Sequence, residues 1–256
     1  PLSLLLICAT CKITGLSPWT VVSFLPAVLA PLLILAVYYF SYEARLNRTI
    51  VFFATFFTLS SYHVTTGIFG GFLPNWMALI GVYVFSGLLM RAFRLNSWFY
   101  GCLAAVIATI ILFMHAATWG MLIGVIAVYA FIQVLQNLRL KVVFSSWKLK
   151  LLVVILVVNV AAIALRNCVL SFGFNVEALQ ATQTLASVEN LGSFWSTVNY
   201  LFCRSLFRTF LNPVGVFLCL LGVVMVLLKD DHIHMYLASW IIGSSVPFVL
   251  GNLIFQ

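Results

Sequence analysis

Apolar residues in this chain come in long unbroken runs, separated by short polar turns, and not in the three-and-four spacing of a water-soluble helix. Runs near residues 19–41, 49–66, 73–90, 98–114, 118–137, 149–165, 213–228 and 235–255 approach the roughly 20 apolar residues that a bilayer-crossing helix needs. The pattern predicts an all-α fold, a polytopic transmembrane helix bundle of about eight spans, forming one transmembrane domain over residues 1–256. A shorter apolar piece, Pro1 to Ile13, predicts an interfacial helix or the stub of a larger element. Pro26, Pro31, Pro74 and Pro247 fall in or beside these runs, where neighbouring helices can satisfy the backbone groups that proline frees.

The connections alternate in character. Arg45 and Arg48 lie in one, Arg91 and Arg94 in another, and Arg139, Lys141, Lys148 and Lys150 in a third. Between them fall uncharged turns around His63 to Gly71 and His115 to Thr118. Short Lys- and Arg-rich loops stay on the cytoplasmic side, so a single topology satisfies every connection and puts the uncharged turns outside. The stretch 166–212 then becomes an external loop. Its second half, Phe194 to Phe210, is rich in aromatic and aliphatic residues but carries Arg204 and Arg208, four positions apart on one helical face. Two arginines are costly in mid-bilayer, so this half predicts an amphipathic helix lying in the outer interface.

Composition narrows the class further. Hydrophobic residues make up 64% of the chain and charged residues only 7%, with a mean hydropathy of +1.17. A soluble fold of that composition would expose large apolar patches to water. The net charge of +8 is dispersed among short loops, with no basic tract long enough to follow a phosphate backbone, which excludes nucleic acid as a partner. The six cysteines lie in or beside apolar runs, where they pack as small hydrophobes. Cys8 and Cys11 form a lone CxxC, a weak zinc signal without a second pair or histidines. The chain opens on Pro1 and ends on an apolar run, and is expected to be a piece of a longer protein.

The residues able to carry chemistry gather on the side read as external. His63 precedes Gly67, Gly70 and Gly71, three glycines that permit a tight turn or a close backbone approach to a ligand, and Asn75 follows them. The next turn contributes His115 and Thr118. Two histidines without a carboxylate are too few for a catalytic metal, and none is assigned. Arg166, Arg204 and Arg208 sit outside against the positive-inside trend, and guanidinium groups bind phosphate bidentately, so a lipid phosphate or pyrophosphate is their expected partner. Asp230, Asp231, His232 and His234 read as a solvated turn on the opposite face. No GxSxG, P-loop, HExxH or GxGxxG occurs in a supporting context, and carboxylates are nearly absent from the spans, which disfavours proton-coupled transport.

Several short stretches resemble the GT-C superfamily of membrane glycosyltransferases, most closely the catalytic subunit of oligosaccharyltransferase and its prokaryotic relatives. They are Gly15-Leu16-Ser17-Pro18, Phe24-Leu25-Pro26-Ala27, the run from Val37-Tyr38 to Glu43, Ser60-Ser61-Tyr62-His63 with Thr66-Gly67, and Asn75-Trp76-Met77-Ala78-Leu79. The resemblance implies a polyprenyl-phosphate-linked sugar bound at the outer membrane face, its phosphate held by arginines such as Arg204 and Arg208. It also implies a divalent metal, yet the acidic signature that flanks the family's asparagine is replaced here by Pro74 and Trp76. The family's catalytic aspartate belongs to a loop that would precede Pro1. The alternatives are a noncatalytic subunit contacting other membrane proteins and, third, a transporter. A prokaryotic source would place the chain in the plasma membrane.

Overall fold

The computed structural model describes residues 2–59, 73–139, 146–169, 224 and 233–243. Every secondary-structure element among them is helical. The elements are α1 (Leu2–Thr14), α2 (Pro18–Glu43), α3 (Arg48–Leu59), α4 (Leu73–Leu95), α5 (Trp98–Met114), α6 (Ala116–Arg139) and α7 (Trp147–Val169), followed by α8 (Ile233–Gly243). Four of them, α2, α4, α6 and α7, are long and apolar enough to cross a membrane. At 1.5 Å per residue the 26 residues of α2 reach about 39 Å, beyond a hydrocarbon core of about 30 Å. The expected span at 98–114 is helical over those residues but only 17 residues long, or about 25 Å. The expected spans at 49–66 and 235–255 are helical over their described parts, 48–59 and 233–243, while 213–228 and the interfacial helix at 194–210 lie outside the described residues.

Two compact units divide the chain, Pro1–Asn159 and Val160–Gln256. Within the first, α4 is the central helix, packed chiefly against α2 and α5. Facing residues fix the directions. Leu29 and Leu33 of α2 meet Leu73 and Trp76 of α4, and further along Gly87 of α4 lies under Tyr39 and Phe40 of α2, so α2 and α4 run parallel. Gly81 faces Ile111 while Arg91 faces Tyr100, so α4 and α5 are antiparallel. Phe85, Leu89, Ala104, Ala108 and Ile111 fill that seam with no exposed surface, and the glycines let the backbones approach closely, as helices in lipid require.

The opposite faces show what solvent the unit is built for. On α2, Phe24, Val28, Leu32 and Leu35 are 43–68% exposed although that face is as apolar as the buried one. On α3, Phe52, Phe53, Phe56 and Phe57 stack on one another and stay about half exposed. A helix apolar all round suits protein interior or lipid, and among the described residues nothing covers these faces.

Helix ends follow local chemistry. Ser17 caps α2, its hydroxyl accepting the Thr20 backbone N–H at 3.2 Å, with Pro18 in the first turn. At its far end the Leu46 N–H bonds the Ser41 carbonyl and the Arg45 N–H bonds that of Tyr42, the paired closure of a Schellman motif, with Arg45 at φ 54°. The α4 end keeps the outer bond of this closure, with Asn96 at φ 48° and the Ser97 N–H bonded to the Ala92 carbonyl.

In the second unit the described residues are the end of α7 and the helix α8. There Ser239, fully buried, donates to the Met235 carbonyl at 2.7 Å, and Tyr236 meets Trp240 edge to face.

Candidate functional site

One end of the first unit brings together three of the residues singled out in the sequence. Asn75 stands in the first turn of α4, and α5 passes into α6 through a single residue, His115. The Thr118 hydroxyl donates to Asn75 Oδ1 at 2.8 Å, a bond across 43 positions of sequence. His115 is the N-cap of α6, because its Nδ1 accepts the Thr118 backbone N–H at 3.2 Å and lies 2.8 Å from the Thr118 hydroxyl. The short turn explains the cap: with one residue between helices, the first-turn N–H groups of α6 need a local acceptor, and an imidazole nitrogen supplies it.

The proton on that ring decides what the cluster does. With the proton on Nε2, Nδ1 accepts from the backbone and the cap is made. With a proton on Nδ1, the ring donates to the Thr118 hydroxyl, which donates in turn to Asn75, and the cap bond is lost. The cluster is therefore a chain of hydrogen bonds, ending on the Asn75 amide oxygen, whose donor and acceptor roles follow the His115 tautomer.

Two buried indoles flank it. Trp119 Nε1 donates to Asn159 Oδ1 at 2.9 Å, and the Asn159 amide donates to the Ile155 carbonyl at 2.9 Å, which ties α6 to α7 just below the site. Trp76, buried against Leu29, Leu33 and Leu73, holds its indole N–H without an acceptor. The indole–amide contact was not legible in the sequence, where Asn159 is one polar residue in an apolar run; its isolation there was the available signal, since a lone amide in a span needs a partner.

Arg166 lies in the last turn of α7, which runs on to Val169, so the helix extends past the start of the expected loop. A cation in a last turn is favoured by the helix dipole as well as by any external anion. His63, Arg204 and Arg208 lie outside the described residues, and with them the approach of His63 to His115 and the arginine pair. Among the described residues no three His, Cys, Asp or Glu side chains gather as a metal site. The donors actually assembled, an amide oxygen, a hydroxyl and one imidazole, are neutral and lack the carboxylate that a hard divalent cation prefers. They do not fit the metal implied by the glycosyltransferase resemblance.

The other end of the unit is charged. Glu43, whose side chain is 2% exposed, accepts a hydrogen bond from Arg91 Nη1 at 3.3 Å, and Arg94 Nη2 lies 2.5 Å from its second oxygen, off the line of a hydrogen bond. The Arg91 guanidinium also lies over the ring of Tyr100, 4.5 Å from its centroid. Trp98 and Trp147 meet edge to face beside them. The sequence marked these arginines as topology signals and Glu43 only as the end of a stretch that resembles the family, not as their partner.

No protein-family model, curated protein or solved structure matches this chain.

Proposed function

We propose that the chain is a multi-pass membrane glycosyltransferase of GT-C type, taking a polyprenyl-phosphate-linked sugar at the outer membrane face, which in a prokaryote is that of the plasma membrane. Its site is the end of the bundle where Asn75, His115 and Thr118 meet. The observation that carries this reading is the Thr118–Asn75 hydrogen bond, which joins two connections assigned to the substrate face by the resemblance and by the charge pattern. Asn75 orients the bound donor through its amide. Arg204 and Arg208, with Arg166, neutralise the lipid phosphate. In transfer the acceptor's nucleophilic atom forms a bond to the sugar's anomeric carbon while the bond from that carbon to the phosphate oxygen breaks, the phosphate leaves with the electron pair, and the acceptor loses a proton. His115 is the titratable group of the described cluster and takes that proton.

A second reading rests on a specific observation. Glu43 is the single carboxylate among the described residues, and it is held by two arginines at the far end. A helix pair fastened in this way suits a noncatalytic structural subunit that contacts other proteins of a membrane complex.

Binding and turnover of a polyprenyl-phosphate sugar by the purified chain in detergent separate the readings. For the enzyme, Arg204→Gln with Arg208→Gln abolishes binding, and Asn75→Ala keeps binding but loses transfer. Absence of transfer by the wild type favours the subunit, and an affinity unchanged in the double arginine variant overturns the phosphate role of those residues.

A further inference from the structure

The charge of this protein is partitioned between its two units. Residues 1–159 contain nine Lys and Arg and a single acidic residue, Glu43, whereas residues 160–256 contain four of each sign. All of the basic residues of the first unit except Lys12 fall in or beside the three connections at one end, α2 to α3, α4 to α5 and α6 to α7. Glu43 balances one positive charge there, and it faces two guanidinium groups that are themselves about two-thirds buried, Arg91 at 36% and Arg94 at 26% exposure. In a low-dielectric setting an unbalanced partly buried charge is costly and attracts an anion.

We propose that Arg91 and Arg94 form a binding site for the phosphate of an anionic phospholipid, with Glu43 as the counter-charge that offsets one of the two guanidinium groups and competes with the headgroup for them. The surroundings point to a lipid in preference to a dissolved ion. The arginines close the ends of helices long and apolar enough for a bilayer. Exposed Tyr38 and Tyr42 and the Trp98–Trp147 pair occupy the same level, as aromatic side chains do at the headgroup boundary. The apolar face of α2 that carries Val28, Leu32 and Leu35 provides a surface for acyl chains along the helix. Tyr100, beneath the Arg91 guanidinium, fixes its plane and leaves its edge for bidentate contact with phosphate oxygens. Basic pockets of this kind between membrane helices select anionic headgroups. The site lies at the opposite end of the unit from Asn75 and does not depend on the proposed transferase activity.

The test is lipid retention by the full chain, purified from mixed vesicles of phosphatidylglycerol and phosphatidylcholine and analysed by native mass spectrometry. Wild-type protein is expected to retain phosphatidylglycerol over phosphatidylcholine. One positive charge near a headgroup changes binding by about fivefold, so Glu43→Gln, which frees both arginines, is expected to raise retention by about that factor. The triple variant E43Q/R91Q/R94Q, which leaves no buried charge behind, is expected to lose the preference. Arg45→Gln with Arg48→Gln removes more net charge than the triple variant does and is expected to change retention less. Equal retention of the two lipids by the wild type overturns the proposal. So does a folded Glu43→Gln protein with unchanged or reduced retention, or an Arg45/Arg48 variant that loses as much as the triple one. Displacement of the lipid by inorganic phosphate at equal concentration identifies a free-ion site and overturns the assignment to lipid. Should the triple variant fail to fold, the sign of the Glu43→Gln effect decides.

Discussion

The two ends of the first unit solve the same problem with different chemistry. At one, α4 and α6 are joined by neutral groups, Asn75, Thr118 and His115, whose donor and acceptor roles follow the His115 tautomer. At the other, α2 and α4 are joined by Glu43, Arg91 and Arg94, where charge is fixed and in excess. Neutral polar groups near the membrane are cheap to rearrange, while a buried carboxylate between guanidinium groups is expensive to separate. The charged end is thus suited to anchoring helices and holding a headgroup, and the neutral end to exchanging ligands.

The largest expected effect tests the anchoring half of that contrast. Replacing Arg91 and Arg94 together by Ala leaves Glu43 buried without a counter-charge and is expected to destabilise the protein by about 3–5 kcal/mol, read as a loss of thermal stability in detergent. Gly87→Ala comes next. The added Cβ falls on the ring of Tyr39 and close to the backbone of Phe40, so the Tyr39 ring must move out of the α2–α4 seam, at about 1–3 kcal/mol. Gly120, in α6 beside the neutral end, has open space around the same atom, and Gly120→Ala is expected to be neutral or to stabilise by up to about 1 kcal/mol. Of similar size is Thr118→Val, which removes the hydroxyl from a part-buried network and is expected to cost about 1 kcal/mol and, on the proposed transferase reading, to lower transfer far more than stability. A Thr118→Val loss as large as that of the double arginine variant would erase the distinction between the ends.

The helical architecture was legible because a run of apolar residues as long as 19–41 or 149–165 leaves little else for the backbone to form. Its boundaries were less so. The start of α6 at Ala116, two residues before the expected span, depends on His115 acting as a cap, a role that composition does not announce. Arg166 was read as a loop residue because it is charged, yet α7 runs past it to Val169. The sequence named Asn75, His115 and Thr118 as candidates on one expected surface, but the hydrogen bonds that join them needed the packing of α4 against α6. The pairing of Trp119 with Asn159 and the capture of Glu43 by two arginines needed helix register, which apolar runs do not encode. Arg45 and Asn96 illustrate the same limit: both close helices in left-handed geometry without the glycine that usually marks such a position.

Sidedness is the claim on which the rest depends, and single-cysteine labelling measures it directly. In a background with the six native cysteines replaced, His63→Cys, Arg204→Cys and Arg48→Cys proteins are treated with a membrane-impermeant maleimide in sealed, outside-out vesicles. Positions 63 and 204 are expected to label in intact vesicles and position 48 only after permeabilisation. Labelling of 63 and 204 from opposite sides, or of 48 from the same side as 63, would contradict the assignment of the neutral end to the substrate face.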